Sequence, residues 1–392
     1  MTDTPEERPL ANQHILIVLE KKGHVGANVR EHFRVYREAG ARLTLCFLTG
    51  DGSEYQSDCP ADSVTGLRLS DKASRRNRIA TAWRLARILR RDRPDVMIGD
   101  QYKCVASLLL ASVIARHGRP IYALLRGYYA TDSRSRQRYY QAFRKRLTGI
   151  LTLTDAQRDR FIANMPWYPT DSISVVHNYI DAHRLRTTML SKTEARERLG
   201  LDEDQFVFGC VARFDSYKRI TDLLKAFAKL QTRDAAQAQL VIIGDGKERA
   251  ALHAETRDLG IHSRTLFTGF LAGANRYMQA FDVFVLPSEG DNFARVFLEA
   301  MAAEIPVVGV HGGGTPEVLG TTGYLAPPRD PAALSEILDQ LIRLSPDERC
   351  AAGRKGREES ETRFTREGLR HQLLGALSGS MMQARALQPD GI

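Results

Sequence analysis

The sequence lacks long apolar runs and closely spaced cysteines. No stretch approaches the roughly 18 consecutive apolar residues that a membrane-spanning helix needs. Residues 1–12 are polar and lack the apolar centre of a signal peptide. The five cysteines are scattered and none stands in a CxxC pair, so we expect neither a disulfide framework nor a zinc site. These absences favour a cytoplasmic protein.

The sequence also lacks a solenoid-period repeat, a low-complexity segment and a complete GxGxxG fingerprint after its first predicted strand. A repeat array is therefore excluded, and dinucleotide oxidoreduction is disfavoured. The chain has 392 residues, of which 43% are hydrophobic and 26% charged. That is enough apolar material for two ordinary domains with large cores.

Short runs rich in valine, isoleucine and leucine alternate with longer helical patterns, as in parallel sheets with crossover helices. In the first half, strands are predicted at 14–19, 42–48, 95–99, 121–125, 150–153 and 173–176. After a polar segment, strands are predicted at 206–211, 240–243, 265–268, 283–286 and 305–310. Two such series predict an α/β protein with two facing Rossmann-like domains, whose ligands bind at the carboxyl ends of the strands.

The same pattern predicts the domain limits. We expect an N-terminal domain over residues 1–186, a C-terminal domain over 187–364, and a final helix over 365–392 that packs back on the first domain. Residues 346–382 are predicted to be helical throughout. A further helix is predicted over 79–90, with Ile79, Trp83, Ala86 and Leu89 on one apolar face.

Positive charge is concentrated in the first half. Residues 1–186 hold 31 Lys and Arg against 19 Asp and Glu, whereas residues 187–392 hold 25 against 28. Arginines cluster over 75–93 and again over 134–146, where Tyr139, Tyr140 and Phe143 are interleaved. Such a surface attracts polyanions, although a solvated face on an arginine-rich protein remains the alternative.

The first chemical signal follows the strand predicted at 206–211. Arg213 and Lys218 come directly after it, at its expected carboxyl edge. A planar guanidinium and a movable ammonium can together neutralise the oxygens of a diphosphate and the charge that develops when a glycosyl–phosphate bond breaks. Basic residues after a strand are common, so this signal alone is weak.

The second signal follows the strand predicted at 283–286. A polar turn leads into a helix that is expected to start near Phe293, and the turn and helix carry Asp291 and Glu299. Carboxylates accept paired hydrogen bonds from sugar hydroxyls, and the free amides at a helix start suit phosphate or carbonyl oxygens. The alternatives are that Asp291 caps the helix and that Glu299 is a solvated helix position.

The third signal is a run of three glycines, residues 312–314, between a strand and a short helix. Glycines there permit close backbone approach to a ligand, and a structural turn is the alternative. The first domain has a looser counterpart at Gly23 and Gly26, directly after its first strand.

In this order and spacing, the signals resemble the retaining glycosyltransferases of family 4, also called group 1, which have the two-domain GT-B fold and need no metal. The resemblance spans nearly all of residues 205–345 and is fainter in the first half. It implies that Arg213 and Lys218 bind the donor diphosphate, that Asp291 binds the sugar hydroxyls, and that Glu299 binds the nucleotide ribose. These four residues are therefore also the catalytic candidates.

The resemblance implies further donor-binding residues from both halves, namely Gly26, Gly244, Phe270, Glu289, Asn292, Phe293 and Ala294. The chain departs from the family at several positions. Asp291 stands for the first of two glutamates, with Glu289 as its rival, and the glycines that usually flank Phe293 are replaced. Arg126 stands where the family often has a histidine, so the acceptor-side candidates are His24, Asp100 and Arg126.

The sequence therefore predicts transfer of a sugar from a nucleotide diphosphate donor, UDP-linked or GDP-linked, to a glycan or lipid-linked glycan of the kind found in lipopolysaccharide synthesis. Contact with an anionic membrane surface is expected from the arginine clusters. A sugar-nucleotide epimerase or hydrolase on the same fold remains an alternative, as does an inactive sugar-nucleotide-binding partner. A nucleic-acid-binding protein is favoured only by the positive charge, because no recognition-helix, RRM or KH pattern is present.

Overall fold

The computed structural model describes residues 8–20, 27–55, 59–70, 78–230 and 237–386. These residues form two compact units. The first unit comprises the described residues up to His177 and those from Glu367 onward, and the second comprises Asn178–Arg366.

The first unit is built on a parallel sheet of seven strands in the order β3-β2-β1-β4-β5-β6-β7. Its strands are β1 His14–Leu19, β2 Arg42–Phe47, β3 Ser63–Gly66, β4 Val96–Asp100, β5 Ile121–Leu124, β6 Gly149–Thr152 and β7 Ile173–Val175. Its described helices before the linker are α1 Ala27–Glu38, α2 Arg78–Asp92, α3 Gln101–Ala115, α4 Arg134–Ala142 and α5 Asp155–Asn164. The central strand β1 is buried along its whole length, because helices cover both faces of a parallel sheet.

The second unit has a parallel sheet of six strands in the order β10-β9-β8-β11-β12-β13. Its strands are β8 Val207–Val211, β9 Gln239–Ile243, β10 Thr265–Gly269, β11 Val283–Val285, β12 Val307–Val310 and β13 Tyr324–Ala326. Its helices are α6 Ala182–Thr188, α7 Lys192–Leu199, α8 Ile220–Ala228, α9 Arg249–Asp258, α10 Arg295–Ala302, α11 Thr315–Leu319, α12 Pro331–Arg343 and α13 Pro346–Arg363. The predicted α/β class, with two Rossmann-like parallel sheets, is confirmed.

The structure divides the chain after His177, whereas the sequence placed the limit after residue 186. The difference arises because α6 belongs to the second unit. Arg276 Nε donates to the Thr188 carbonyl at 3.2 Å, and Arg186 pairs with Glu304 at 3.2 Å.

The C-terminal helix α14, Arg366–Ala386, belongs to the first unit from Glu367 onward. Its Gln372 side chain accepts a hydrogen bond from the His177 amide at 3.0 Å, and the Leu377 carbonyl accepts one from the Tyr122 hydroxyl at 3.4 Å. The helix predicted over 346–382 is therefore wrong as a single element. It is broken after α13, where the Phe364 ring is buried.

Three sequence predictions about these elements fail for physical reasons. Strands β3 and β13 were missed because both are short edge strands without a long apolar run. The apolar face assigned to α2 is also wrong. Ala86 and Leu89 are buried, but Ile79 is 64% and Trp83 is 50% exposed. The buried face instead includes Ala82 and Leu85, because α2 is rotated relative to the expected stripe.

Among the described residues, no helix combines the length and the apolar character that a membrane span requires.

Candidate functional site

The strand order fixes where ligands bind on each sheet. In the second unit the order reverses between β8 and β11, which are hydrogen-bonded neighbours with Val283 opposite Phe208. Parallel sheets of this kind bind ligands beyond the carboxyl ends of the strands at that reversal. The segments that follow β8 and β11 carry the first and second sequence signals. The fold therefore brings residues 213–218 and 288–291 to one edge.

Lys218 and Asp291 form the closest contact at this edge. The Lys218 ammonium lies 2.8 Å from Asp291 Oδ1 and 2.7 Å from Oδ2. Their side chains are only 12% and 15% exposed. Backbone contacts tie the two segments together, since the Tyr217 carbonyl accepts from Ser288 Oγ at 3.2 Å and from the Glu289 amide at 3.3 Å.

The start of the next helix excludes one of the two interpretations of Asp291. The helix α10 begins at Arg295, two residues later than predicted, and its N-cap is Ala294, without a side-chain cap. Asp291 therefore does not cap the helix. A partly buried carboxylate paired with an ammonium is preorganised to accept hydrogen bonds from hydroxyl groups, while the ammonium keeps a donor for an oxyanion.

Arg213 lies on the exposed side of the same edge. Its side chain is 74% exposed and pairs with Asp215 at 2.9 Å. One guanidinium nitrogen donates to the Tyr217 hydroxyl at 3.0 Å, and this bond raises the pKa of Arg213 further above its already high value. The Lys218 ammonium lies 5.3 Å from the centroid of the Tyr217 ring.

Tyr217 therefore links the two cations, and sequence reasoning missed it. The signal was available, because a tyrosine stands between Arg213 and Lys218 in a short turn. Its ring offers a cation–π contact to the ammonium and its hydroxyl a hydrogen bond to the guanidinium. Tyr217 thus contacts both positive charges.

Glycines hold these loops against each other. Gly244 has φ of 146°, and a Cβ there would lie 1.9 Å from the Ala212 carbonyl oxygen. Gly313 has φ of 56°, and a Cβ there would lie 2.0 Å from the Asp291 carbonyl oxygen. Only glycine fits such positions without strain. The glycine run was predicted to let a ligand approach the backbone closely. In the structure it is the backbone at Asp291 that approaches Gly313 closely.

Glu299 lies on α10, and burial raises the pKa of its carboxyl group. Arg295 opposes this effect from one helical turn away, at 3.2 Å. The alternative of a solvated helix position is therefore excluded. A carboxyl group that is largely shielded from water can exchange hydrogen bonds with the hydroxyl groups of a ligand.

The other donor-side candidates divide into two groups. Glu289 is engaged by Arg329, whose nitrogens reach both carboxylate oxygens at 2.7 Å, and this bond lowers the pKa of Glu289. Phe270 is 79% exposed. Asn292, Phe293 and Ala294 are buried, and the Phe293 ring packs edge to face on Phe364 at 5.2 Å. Gly26 lies outside the described residues.

The first unit has its own reversal of strand order, between β1 and β4. Asp100 ends β4, and its Oδ1 accepts a hydrogen bond from Arg126 Nε at 2.6 Å. The structure therefore brings these two acceptor-side candidates together, and it leaves less of the Arg126 charge for a ligand. His24 lies outside the described residues.

Two features of the first unit were not foreseen. His32 is buried on α1, and burial, with the charge of Arg126 nearby, lowers the pKa of its ring to about 3. The aromatic residues between the arginines of α4 were expected on the surface. Instead Tyr140 is buried, and the Tyr139 hydroxyl donates to the Ala106 carbonyl at 2.8 Å.

Two family models match the chain. The model described as Glycosyl transferases group 1 matches residues 191–359, and the model described as Glycosyltransferase Family 4 matches residues 25–184.

Curated relatives match over part of their length. N-acetyl-alpha-D-glucosaminyl L-malate synthase of Bacillus anthracis is 32% identical over 203 residues, which are 51% of this chain and 51% of that protein. D-inositol 3-phosphate glycosyltransferase of Stackebrandtia nassauensis is 32% identical over 210 residues, which are 50% of this chain and 47% of that protein. The chain therefore spans about half the length of the curated relatives it matches.

Solved structures share the fold over almost the whole chain. Anabaena Alr3699/HepE in complex with UDP-glucose has a TM-score of 0.77 at 20% identity, and the match covers 94% of this chain and 100% of that one. The apo form of the lipopolysaccharide outer core galactosyltransferase WaaB has a TM-score of 0.69 at 16% identity, with 95% and 100% covered. The solved structures show the shared fold, and the two family models show that the chain belongs to the group 1, family 4 glycosyltransferases.

Proposed function

We propose that the protein is a retaining glycosyltransferase that moves a sugar from a nucleotide diphosphate donor to a hydroxyl group of a glycan or lipid-linked glycan. The observation that carries this proposal is the partly buried Lys218–Asp291 pair at the strand-order reversal of the second sheet. It combines a cation for a phosphate with a carboxylate for sugar hydroxyls. Family membership supports glycosyl transfer, and this pair supports the placing of the donor site at this edge.

In the proposed reaction, Lys218 and Arg213 bind the diphosphate and stabilise the negative charge that develops on it as the glycosidic bond breaks. Losing one such preorganised donor costs roughly 3–4 kcal/mol of transition-state stabilisation. Asp291 orients the sugar, and Glu299 binds the ribose. The acceptor hydroxyl attacks from the face that the diphosphate leaves, so no protein nucleophile is needed. Because the two side chains supply positive charge, we propose that no metal ion is required.

The donor is proposed from the relatives. Anabaena Alr3699/HepE was solved with UDP-glucose, and a phosphatidylinositol monomannoside mannosyltransferase of Mycobacterium tuberculosis is GDP-mannose-dependent by its name. We favour a UDP-sugar, with a GDP-sugar next. The likeness to WaaB supports an acceptor from lipopolysaccharide or another bacterial polysaccharide. Such a donor implies action on the cytoplasmic side of the membrane.

A panel of nucleotide sugars tests the donor. A ligand that binds only the folded protein raises its thermal midpoint, so UDP-sugars or GDP-sugars should shift it while other nucleotides do not. The selected donor is then incubated with glycan acceptors, and the anomeric configuration of the product is read by NMR. Retained configuration supports the proposal, and inverted configuration contradicts it.

Incubation of the donor without an acceptor separates the enzymatic alternatives. A transferase should leave most of the donor intact until an acceptor is added. Rapid release of free sugar would identify a hydrolase, and a change of the sugar within an intact nucleotide sugar would identify an epimerase. Either result, with no transfer to any acceptor, would overturn the proposal.

Contact with an anionic membrane surface is proposed from the exposed side of α2. Ile79 and Trp83 stand out from this helix, and Arg90 lies 5.9 Å from the centroid of the Trp83 ring. Aromatic rings with neighbouring arginines suit a membrane interface, where anionic lipid adds about 1 kcal/mol per well-placed basic residue. Replacing Trp83 with serine should weaken co-sedimentation with phosphatidylglycerol vesicles. Equal binding to phosphatidylcholine vesicles would contradict this proposal.

A further inference from the structure

The ring of Tyr102 forms a fixed surface beside the carboxyl edge of the first sheet. Tyr102 follows the end of β4 by two residues. Its ring makes edge contacts with Tyr139 at 6.1 Å and with Tyr140 at 5.7 Å. Tyr140 is buried, and Tyr139 stacks on Phe143 at 4.7 Å. This aromatic packing holds the Tyr102 ring in one orientation.

Two guanidinium groups lie on that ring. Arg136 of α4 lies 5.0 Å from its centroid, and Arg78 of α2 lies 5.6 Å from it. Arg78 also lies 5.9 Å from the centroid of Tyr139. Arginines from two helices are thus placed on one aromatic surface, which reduces the side-chain freedom that a bound anion would otherwise have to remove.

Neither guanidinium has a carboxylate partner among the described residues. Arg136 donates one hydrogen bond, to the Ala130 carbonyl at 3.0 Å, and no hydrogen bond or ion pair is found for Arg78 within the described part of the chain. A guanidinium has five N–H donors, so most of theirs remain for a ligand.

The nearby acidic groups are engaged elsewhere. Glu20 pairs with Lys103 at 2.9 Å, and Asp100 pairs with Arg126 at 2.6 Å. Asp132 pairs with Arg160 through two hydrogen bonds. Each of these three carboxylates is paired with another cation, and the two arginines on Tyr102 keep their positive charge. Such a group of donors matches the oxygens of a phosphate ester.

We propose that Arg78 and Arg136, held on the ring of Tyr102, bind a phosphate or diphosphate ester carried by the acceptor. This inference rests on the proposed glycosyl transfer and names the chemical class of its acceptor. The site lies on the first unit, and it is formed by residues other than those that bind the donor diphosphate. The acceptor would then be bound through its phosphate group as well as through the hydroxyl group that reacts.

Inorganic pyrophosphate is the probe for the binding test. It is titrated calorimetrically at constant ionic strength into Arg213→Ala/Lys218→Ala protein, in which the proposed donor site is weakened. In this background Arg78→Gln/Arg136→Gln should lower the affinity at least about tenfold, because charge-assisted hydrogen bonds are lost. The matched control is Arg87→Gln/Arg138→Gln, which removes the same charge from exposed positions of the same two helices. It should change the affinity by less than about twofold.

Two results of this titration would overturn the proposal. Equal weakening by both double variants would mean that only the overall charge attracts the probe, and unchanged affinity in Arg78→Gln/Arg136→Gln would mean that the cluster does not bind it. Thermal unfolding of each variant tests whether it is folded. Tyr102→Phe keeps the ring and should keep the affinity, because the two guanidinium groups contact the ring and not the hydroxyl group.

Vesicles distinguish an acceptor phosphate from a lipid headgroup. If the site takes the acceptor, Arg78→Gln/Arg136→Gln and its control should bind phosphatidylglycerol vesicles equally well, while only the former loses pyrophosphate. Loss of vesicle binding with pyrophosphate binding intact would assign the cluster to a membrane phosphate and overturn the proposal.

Kinetics connect the site to the reaction. With a phosphorylated acceptor that supports transfer, Arg78→Gln/Arg136→Gln should raise the acceptor KM at least about tenfold and leave the donor KM unchanged. An unchanged acceptor KM would overturn the acceptor role. Failure of the wild-type protein to transfer sugar to any acceptor would instead refute the proposed function, and the pyrophosphate titration would still report on the anion site.

Discussion

The two units have the same kind of strand-order reversal but place different side chains beside it. Both sheets reverse their strand order beside the first strand, and both place candidate residues at the carboxyl edge of that reversal. In the second unit, Lys218, Asp291 and Gly313 are tied together by side-chain and backbone contacts. In the first unit, the charges of Arg78 and Arg136 lie exposed or half-buried on an aromatic ring. We infer that a diphosphate donor used throughout the family favours a site built from packed backbone segments. A site for the acceptor of one family member needs only surface side chains.

The largest effect expected from this comparison is on turnover. Lys218→Ala should lower kcat by a factor of about 10² to 10³, because a preorganised cation at the leaving diphosphate is lost. Lys225→Ala is the matched control, since Lys225 is an exposed lysine of the same unit paired with Glu255 at 3.6 Å. Steady-state turnover with saturating donor measures both. Comparable activity of the two variants would place the diphosphate elsewhere.

The next effect is on the stability of the two edges. Gly244→Ala should destabilise the protein by roughly 3 kcal/mol, since the new Cβ meets the Ala212 carbonyl oxygen at 1.9 Å and the φ of 146° is strained for alanine. Gly127→Ala in the first unit meets no atom within 4 Å and should be close to neutral. Urea unfolding of both variants tests whether Gly244, unlike Gly127, is held by close backbone packing. Similar losses in both would contradict that difference.

The smallest effect is a difference in pH dependence between the units. Burial lowers the pKa of His32 from 6.5 to about 3. Between these two pH values the unfolded chain binds a proton at this ring and the folded chain does not. The stability contributed by this residue is present above pH 6.5 and falls as the pH drops toward 3, by about 2 kcal/mol at pH 5. His32→Gln should remove this loss.

Glu299 has the opposite sign, because burial raises its pKa and the folded state binds the proton first. Its contribution to stability therefore increases as the pH falls through its folded pKa. Denaturant midpoints of wild type, His32→Gln and Glu299→Gln between pH 7 and pH 5 report both contributions. Parallel curves for all three proteins would show that neither group is buried as described.

The fold and the donor-side residues were predictable to different extents. Alternation of apolar runs predicted two parallel sheets, because buried strands need continuous apolar sequence. It missed β3 and β13, whose edge positions require no such run. Arg213, Lys218, Asp291 and Glu299 were predicted from strand ends and a family resemblance, and their roles stay predictions. The Lys218–Asp291 contact was not predicted, since it joins residues 73 positions apart through the neighbouring strands β8 and β11.

The first unit was harder to predict because its candidate site depends on side-chain packing. The arginine clusters were visible in the sequence, but spacing alone did not show that Tyr140 turns into the core or that Arg78 and Arg136 converge on Tyr102. Exposure of Trp83 depends on the rotation of α2 against its neighbours, which composition does not fix. Tertiary contacts of this kind override the local pattern.

The most direct measurement compares the affinity of the protein for a nucleoside diphosphate with that for the matching monophosphate. We predict that wild type binds UDP or GDP at least about tenfold more tightly than UMP or GMP, and that Arg213→Ala/Lys218→Ala abolishes this preference while leaving the monophosphate affinity nearly unchanged. An undiminished preference for the diphosphate in the double variant would contradict the assignment of these two side chains at the edge of the second sheet.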